Sequence, residues 1–287
     1  MSRRIFLSTP LRNEIDNIPD LYAAVAAQDT AIAVWVIVEN GSTDGSRELL
    51  QTLAKPANVE QLIVLNEDTE SGEYALGQKY ARIVSRGFDE IRGSVELGNE
   101  DLIGILDADS FPEPDYYRLL IEAFDRNPKL GIASGISRDT GTDRRSMHAA
   151  DWVRGSCRLW RGACMVQSGY IIGPSADTLS LARAEIDGWE ARVVKEATFE
   201  AREVGARSKQ RYYGGSAHFR GNTLTYALVR FGKFVMHGRF ADARDYLGGY
   251  WSARASGSPQ IDDSEIRAYF HGYLSRKLKQ RLGLTAH

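Results

Sequence analysis

The chain has 287 residues, of which 43% are hydrophobic and 26% charged, with 36 Lys and Arg against 38 Asp and Glu. That composition excludes a disordered chain, and a net charge of −2 disfavours nucleic-acid binding through global charge. No apolar run approaches the roughly 20 residues that span a bilayer, and the two cysteines, Cys157 and Cys164, cannot make a disulfide framework, which points to a reducing, cytoplasmic setting.

The basic start, Arg3-Arg4, leads directly into a short apolar run at 4–9. It reads as a buried strand, because a secretory leader needs about 7–15 apolar residues. A helix is expected from about 18 to 28, with Pro19 in its first turn, where proline is tolerated. Residues 33–38 form a continuous apolar run, the pattern of a strand covered on both faces. A turn follows at 39–42, and Thr43 or Asp44 can cap a helix reaching about residue 54. Then come a strand at 61–65, a helix at 74–92, a strand at 102–106, a helix at 115–127 and a strand at 130–134. This alternation predicts an α/β fold, a mostly parallel sheet flanked by helices.

Beyond residue 136 the character changes. Residues 137–151 read as a long polar loop, and 152–189 carry Trp152, Trp160, Tyr170 and Trp189 among scattered glycines. Residues 223–246 read as a helix broken around Gly232 and Gly238, 256–259 as a linker, and a last helix starts near Asp262 or Ser264. The chain is thus expected to divide into a domain at 1–222, with halves 1–135 and 136–222, and a helical extension at 223–287.

In an open parallel sheet, ligands collect at the carboxyl ends of the strands. Three strand ends here are polar: 8–14, 39–44 and 107–110. Asp107-Ala108-Asp109 leaves a buried strand as two hard oxygen ligands one residue apart, which suits Mg²⁺ or Mn²⁺ holding a diphosphate. The alternative is a solvated turn, or a cap for the helix at 115. Glu39, beside the tight turn at Gly41, can accept the N3–H of a uracil; the alternative is ordinary strand–turn–helix chemistry.

Together these residues resemble the family 2 glycosyltransferases of the GT-A fold. Pro10, Asn13 and Glu14 match a Pro-x-x-Asn-Glu pattern after the first strand. The run 39–44 matches a motif that begins with Asp where this chain has Glu39, and Asp107-Ala108-Asp109 matches the metal motif. The resemblance implies a metal-dependent, inverting transfer from a nucleotide-sugar donor, expected to be a UDP-sugar, to a glycan or lipid-linked acceptor. It places the donor in the half at 1–135, on Pro10, Arg12, Glu14, Glu39, Gly72, Asp107, Ala108 and Asp109, with Asp107 and Asp109 on the metal. It places the acceptor in the half at 136–222, on Gly173, Trp189 and Arg220, with Trp189 stacking on it or else filling the core.

The family's Glu-Asp pair ahead of a helix is missing. The count forward from Trp189 falls on Glu196, whose neighbour is Ala197, so Glu196 is expected to be the general base, with Glu190 in reserve. An ionised acceptor such as a polyprenyl phosphate would need no base. His218 resembles a late histidine that joins the metal or the diphosphate; the alternative is a structural histidine. In the C-terminal helix, Ile266, Phe270, Leu274, Leu278 and Leu282 form an apolar stripe, and every formal charge after Glu265 is positive. That pattern fits either packing on the catalytic domain or peripheral contact with the anionic inner face of a membrane. Two other functions are open: a nucleotidyltransferase making nucleotide-sugars, disfavoured because no glycine-rich signature follows the first strand, and a non-catalytic sugar- or membrane-binding module.

Overall fold

In the computed structural model, β1 (Ile5–Leu11) and β2 (Ile32–Glu39) are buried at nearly every position, as parallel strands covered on both faces must be. Residues 3–67, 77–139, 153–201 and 209–282 are described. The chain divides into two compact units, Met1–Glu203 and Val204–His287.

The first unit adds β3 (Val59–Asn66), β4 (Leu102–Leu106), β5 (Ser110–Pro112), β6 (Leu130–Asp139), β7 (Cys157–Arg161) and β8 (Glu190–Ala201). They form one sheet in the order β3-β2-β1-β4-β7-β6-β8-β5. Pairing is parallel from β3 through β4 and between β6 and β8; β7 runs antiparallel to both neighbours, and β5 to β8. The carboxyl ends of β1, β2, β4 and β6 and the start of β7 therefore share one rim.

Side chains alternate across the strands. Ile5, Leu7, Trp35 and Ile37 face α1 (Ile18–Ala26), α2 (Ser46–Thr52) and α4 (Tyr116–Arg126). Phe6, Val36, Val38 and Trp160 face α3 (Gln78–Ser94), α5 (Gly162–Ser168) and α6 (Ala176–Ile186). Cys157 and Cys164 are free and buried. At the centre, Gly104 allows β7 to lie against β4: a Cβ there would sit 2.2 Å from the Arg158 carbonyl oxygen. Gly104→Ala is expected to cost about 3 kcal/mol, read as a lower urea midpoint at unchanged slope.

The second unit is helical: α7 (Lys209–Phe219), α8 (Leu224–Met236), α9 (Phe240–Ala255), α10 (Ser264–His271) and α11 (Tyr273–Arg281).

The sequence expectations differ in four places. Gly45, at φ 95°, takes the N-cap of α2 rather than Thr43 or Asp44, and Asp44 instead accepts the Ser46 N–H. β6 continues to Asp139, into the expected loop; the rest of that loop and Trp152 lie outside the described residues. The helix expected at 223–246 breaks only at Gly238, where φ is 71°; Gly232 lies inside α8. The last helix is split at Gly272, and Asp263 caps its first part through the amides of Glu265 and Ile266.

Candidate active site

The loops after β1 and β2 are tied to each other. Asn13 N–H donates to Ser42 Oγ, and Thr43 N–H to Asn13 Oδ1. Glu14 N–H donates to Ser46 Oγ, and Ile15 N–H to Asp44 Oδ2. Asn13 and Gly41 hold positive φ, 54° and 63°, which asparagine and glycine tolerate best. Both sequence patterns thus carry structural work as well as any ligand role.

Pro10 ends β1 level with Val38, Arg12 is exposed, and Glu14 is half-buried, its Oε2 accepting from Asn17 at 2.5 Å. Glu39 sits at the same rim but turns inward. Its side chain is 0% exposed, and its two oxygens accept from the Ser42 N–H and from Arg47 Nε, each at 2.5 Å. The expected contact with a uracil N3–H would use the second lone pair of an oxygen that already accepts one of these bonds, on a side chain closed to the surface. Gly72 lies outside the described residues.

β4 delivers Asp107 and Asp109 to the rim half-exposed, while Ala108 is buried in the core between them. The Asp107 N–H donates to the Ser156 carbonyl, and its Oδ1 accepts the Tyr80 hydroxyl at 2.6 Å. Burial, and then the charges of Asp109 and Glu14, push the Asp107 carboxyl up to about 8, against the pull of Tyr80 and Arg158. This is a hard-oxygen pair short of positive charge, the donor set that Mg²⁺ or Mn²⁺ satisfies. Among the described residues no group of three or more His, Cys, Asp or Glu could hold a metal by itself.

The carboxyl's raised pKa has a measurable consequence. Such a group stabilises the fold fully below its unfolded pKa near 4, and that contribution is lost as pH rises through about 8. Metal-free Asp107→Asn, which keeps an acceptor for Tyr80, is therefore expected to melt several degrees above the wild type at about pH 8.5. Near about pH 4 the two should converge, as thermal scans in chelator would show.

Two further residues enter the site that the sequence did not single out. Arg158, on β7, is fully buried. It stacks 5.0 Å from the Trp160 ring, donates from Nη1 to the Asp177 carbonyl at 3.2 Å and lies 3.7 Å from Asp177 Oδ2. Its Nε and Nη2 make no hydrogen bond among the described residues. Asp177 lies in the first turn of α6, packed over Gly155, where a Cβ would fall 3.2 Å from its own Cβ. Tyr170, half-buried and edge-on to Phe88 and Trp160, feels the charges of Arg158, Asp177 and Asp107 together. Arg158 thus contacts Asp177 directly and acts on the Asp107 carboxyl through its charge.

Gly173 belongs to the turn that leads into α6, and so reaches this rim. Trp189 does not. It packs against Gly131 at the start of β6 and donates to Gln167, about five residues or ~16 Å along the strands from Asp107. Glu190 is at that far edge too, accepting from Asn127. Glu196 is exposed in the irregular stretch of β8 between Val193 and Thr198, on a strand rather than a helix. Its strand pairs with β5, which follows directly on Asp109, and no hydrogen bond or ion pair joins Glu196 to Asp107, Asp109 or Asp177 among the described residues.

His218 and Arg220 belong to the second unit. The His218 ring packs edge-on to Tyr250 at 5.8 Å, and burial, then Arg254, lower its pKa. Arg220 stacks over Phe270 at 5.4 Å.

The family model described as Glycosyl transferase family 2 matches residues 8–187, well over half of the chain and all of the rim just described. The chain belongs to glycosyl transferase family 2. It is accordingly a glycosyltransferase, and its sheet and helices are those of the GT-A fold. Among solved structures it is similar to residues 1–349 of TarS from S. aureus, at 13% identity and a TM-score of 0.55 over 98% of this chain and 83% of that one. The same protein in complex with UDP-GlcNAc aligns at 12% identity and a TM-score of 0.54, over 98% and 84% of the two chains. The mannosyltransferase PcManGT from Pyrobaculum calidifontis, in complex with GDP-Man and Mn²⁺, aligns at 15% identity and a TM-score of 0.53, over 99% and 84%. Identities this low carry the fold alone. No curated protein matches the chain significantly.

Proposed function

We propose that this family 2 enzyme moves a sugar from a nucleoside-diphosphate donor to an acceptor hydroxyl, with inversion at the anomeric carbon, and that Asp177 rather than Glu196 is its general base. The observation that carries the reading is that the buried Arg158 guanidinium, whose charge acts on the Asp107 carboxyl, also holds Asp177 at the helix start.

Asp107 and Asp109 hold Mn²⁺ or Mg²⁺ together with the donor's diphosphate. The ion, when bound, offsets charge that grows on the departing nucleoside diphosphate. Tyr80 fixes the orientation of Asp107 through one carboxylate oxygen. The tied loops at 10–15 and 39–46 form the wall on the nucleoside side. Asp177, half-exposed at the helix start, takes the acceptor's proton on a carboxylate whose Oδ1 accepts only a long bond from the Thr178 hydroxyl, while Arg158 steadies the turn that bears it. A base that takes the hydroxyl proton as the acceptor oxygen attacks and the nucleoside diphosphate departs supports a single displacement, and hence inversion.

A thermal-shift panel of UDP, GDP and dTDP with and without Mn²⁺ tests the donor site. A ligand at 100 times its Kd adds about 2.7 kcal/mol of stability. A metal-dependent shift with one nucleotide is the expected result; no shift with any of them rejects the donor site. UDP heads the panel because the TarS neighbour binds UDP-GlcNAc, and GDP follows because PcManGT binds GDP-Man.

A further inference from the structure

Charge and exposed apolar surface are both unevenly divided along this chain. The first unit carries 22 Lys and Arg against 33 Asp and Glu, a net of −11; the second carries 14 against five, a net of +9. Among the described residues, eight of the ten large hydrophobic side chains that stand exposed are in the second unit. A near-neutral total conceals this polarity, which is the kind that marks membrane or polyanion contact.

The exposed apolar residues concentrate on the hairpin of α8 and α9. A groove of about 590 Å³ runs between these helices, lined by Leu224, Leu228, Phe231, Val235, Leu247 and Trp251. Of the residues lining the groove, Phe240 is 67% exposed, Trp251 56% and Leu228 50%, and at the hairpin tip Met236 is 76% exposed. Basic residues lie along the hairpin: Arg244 lines the groove, and the Arg230 guanidinium stacks over the Phe234 and Tyr246 rings. Arg230 and Lys233 are exposed and pair with no acid among the described residues, and Arg244 is exposed beside Asp245. The acids of the hairpin, Asp242 and Asp245, are already matched by Arg239 and Arg244.

We propose that the α8–α9 hairpin docks on an anionic lipid bilayer, with Met236, Phe240 and Trp251 in the acyl–headgroup boundary and Arg230 and Lys233 against the headgroups. An aromatic and aliphatic tip on a hairpin that carries basic residues is what an interfacial surface requires. A nucleic acid would use the charge but leave the apolar groove uncovered. No helix among the described residues is long and apolar enough to cross a membrane, so the contact is peripheral. The C-terminal stripe contributes less than its sequence suggests: Ile266 and Phe270 are buried inside the unit, and only Leu278 and Leu282 stand exposed.

Co-sedimentation of the full chain with vesicles tests this, using phosphatidylcholine alone or with about a third phosphatidylglycerol. The wild type is expected to pellet with the anionic vesicles at low salt, to release in high salt, and to stay in solution with phosphatidylcholine alone. The double variant Phe240→Ser/Trp251→Ser, both positions exposed, should lose at least about tenfold in partitioning at unchanged melting temperature and donor hydrolysis. Arg230→Glu/Lys233→Glu should also bind more weakly, with a flatter salt dependence. Leu278→Ser/Leu282→Ser should stay within about twofold of wild type. The proposal is overturned if the wild type ignores anionic vesicles, if Phe240→Ser/Trp251→Ser binds as the wild type does, or if the wild type is a dimer that this variant dissociates. Donor binding in the thermal-shift panel is unaffected by any of these outcomes, so the two readings fail separately.

Discussion

Asp109→Ala is expected to lower sugar transfer by about 10³-fold or more and to abolish the Mn²⁺-dependent part of the nucleotide thermal shift. Asp109 lies in the turn after β4, half-exposed, with the core contact made by its neighbour Ala108. Its loss leaves no cavity, so the melting temperature without ligand should change by little. Removing it also removes one of the charges that push up the Asp107 carboxyl, which leaves Asp107 an easier but solitary ligand. One carboxylate is too few to position a divalent ion against a diphosphate. Parallel measurements of turnover, metal-dependent nucleotide binding and unliganded stability separate this outcome from unfolding. Turnover at the wild-type level would remove Asp109 from the mechanism.

Asp177→Asn is expected to reduce kcat by about 10²–10⁴-fold, the range for loss of a positioned base, with the donor-induced thermal shift unchanged. Asparagine has the same shape, and the Arg158 bond to the Asp177 carbonyl is a backbone contact that survives the change. A loss confined to kcat marks an interaction made in the transition state. Glu196→Gln, on the exposed bulge of β8, should stay within about threefold of the wild type. If Asp177→Asn transfers normally while Asp109→Ala does not, the acceptor arrives already ionised, as a polyprenyl phosphate would. If Glu196→Gln is the inactive variant, the base lies on β8 and the Arg158 arrangement is structural.

The sheet was readable because its strands are short apolar runs with polar turns at their ends. Residues 33–38 and 102–106 are strands almost to the residue, and the rim followed from parallel pairing. Asp107 and Asp109 were readable for the same reason, since the carboxylates directly follow a fully buried strand. Asp177, the proposed base, carries a weak sequence signal: it stands upstream of Trp189, in the first turn of the helix that ends at Ile186, whereas the stretch after Trp189 returns as β8. An acid there is also ordinary helix-dipole chemistry. Arg158 gave a weaker signal still, because an arginine inside Cys157–Arg161 reads as an interruption of a strand rather than as a buried charge. Trp189 misled through its chemistry: an indole suits a sugar, but here the register against Leu130 carries it to the opposite edge of the sheet. Glu39 was located correctly at a strand end, yet sequence gave no hint that Arg47, two turns on, would draw its carboxylate inward.

The cross-ties between the loops after β1 and β2 set where this enzyme can move. Asn13, Ile15, Thr43 and Ser46 each give an amide to a side chain, and all but the Ser46–Asp44 bond cross from one loop to the other. Neither segment can open without breaking bonds to its neighbour, so the two behave as one rigid lip whose ordering cost is met during folding and not at each encounter with donor. At the proposed donor site a nucleoside would then meet a wall already in place, and any motion that admits or releases the donor falls to segments of the site other than this one.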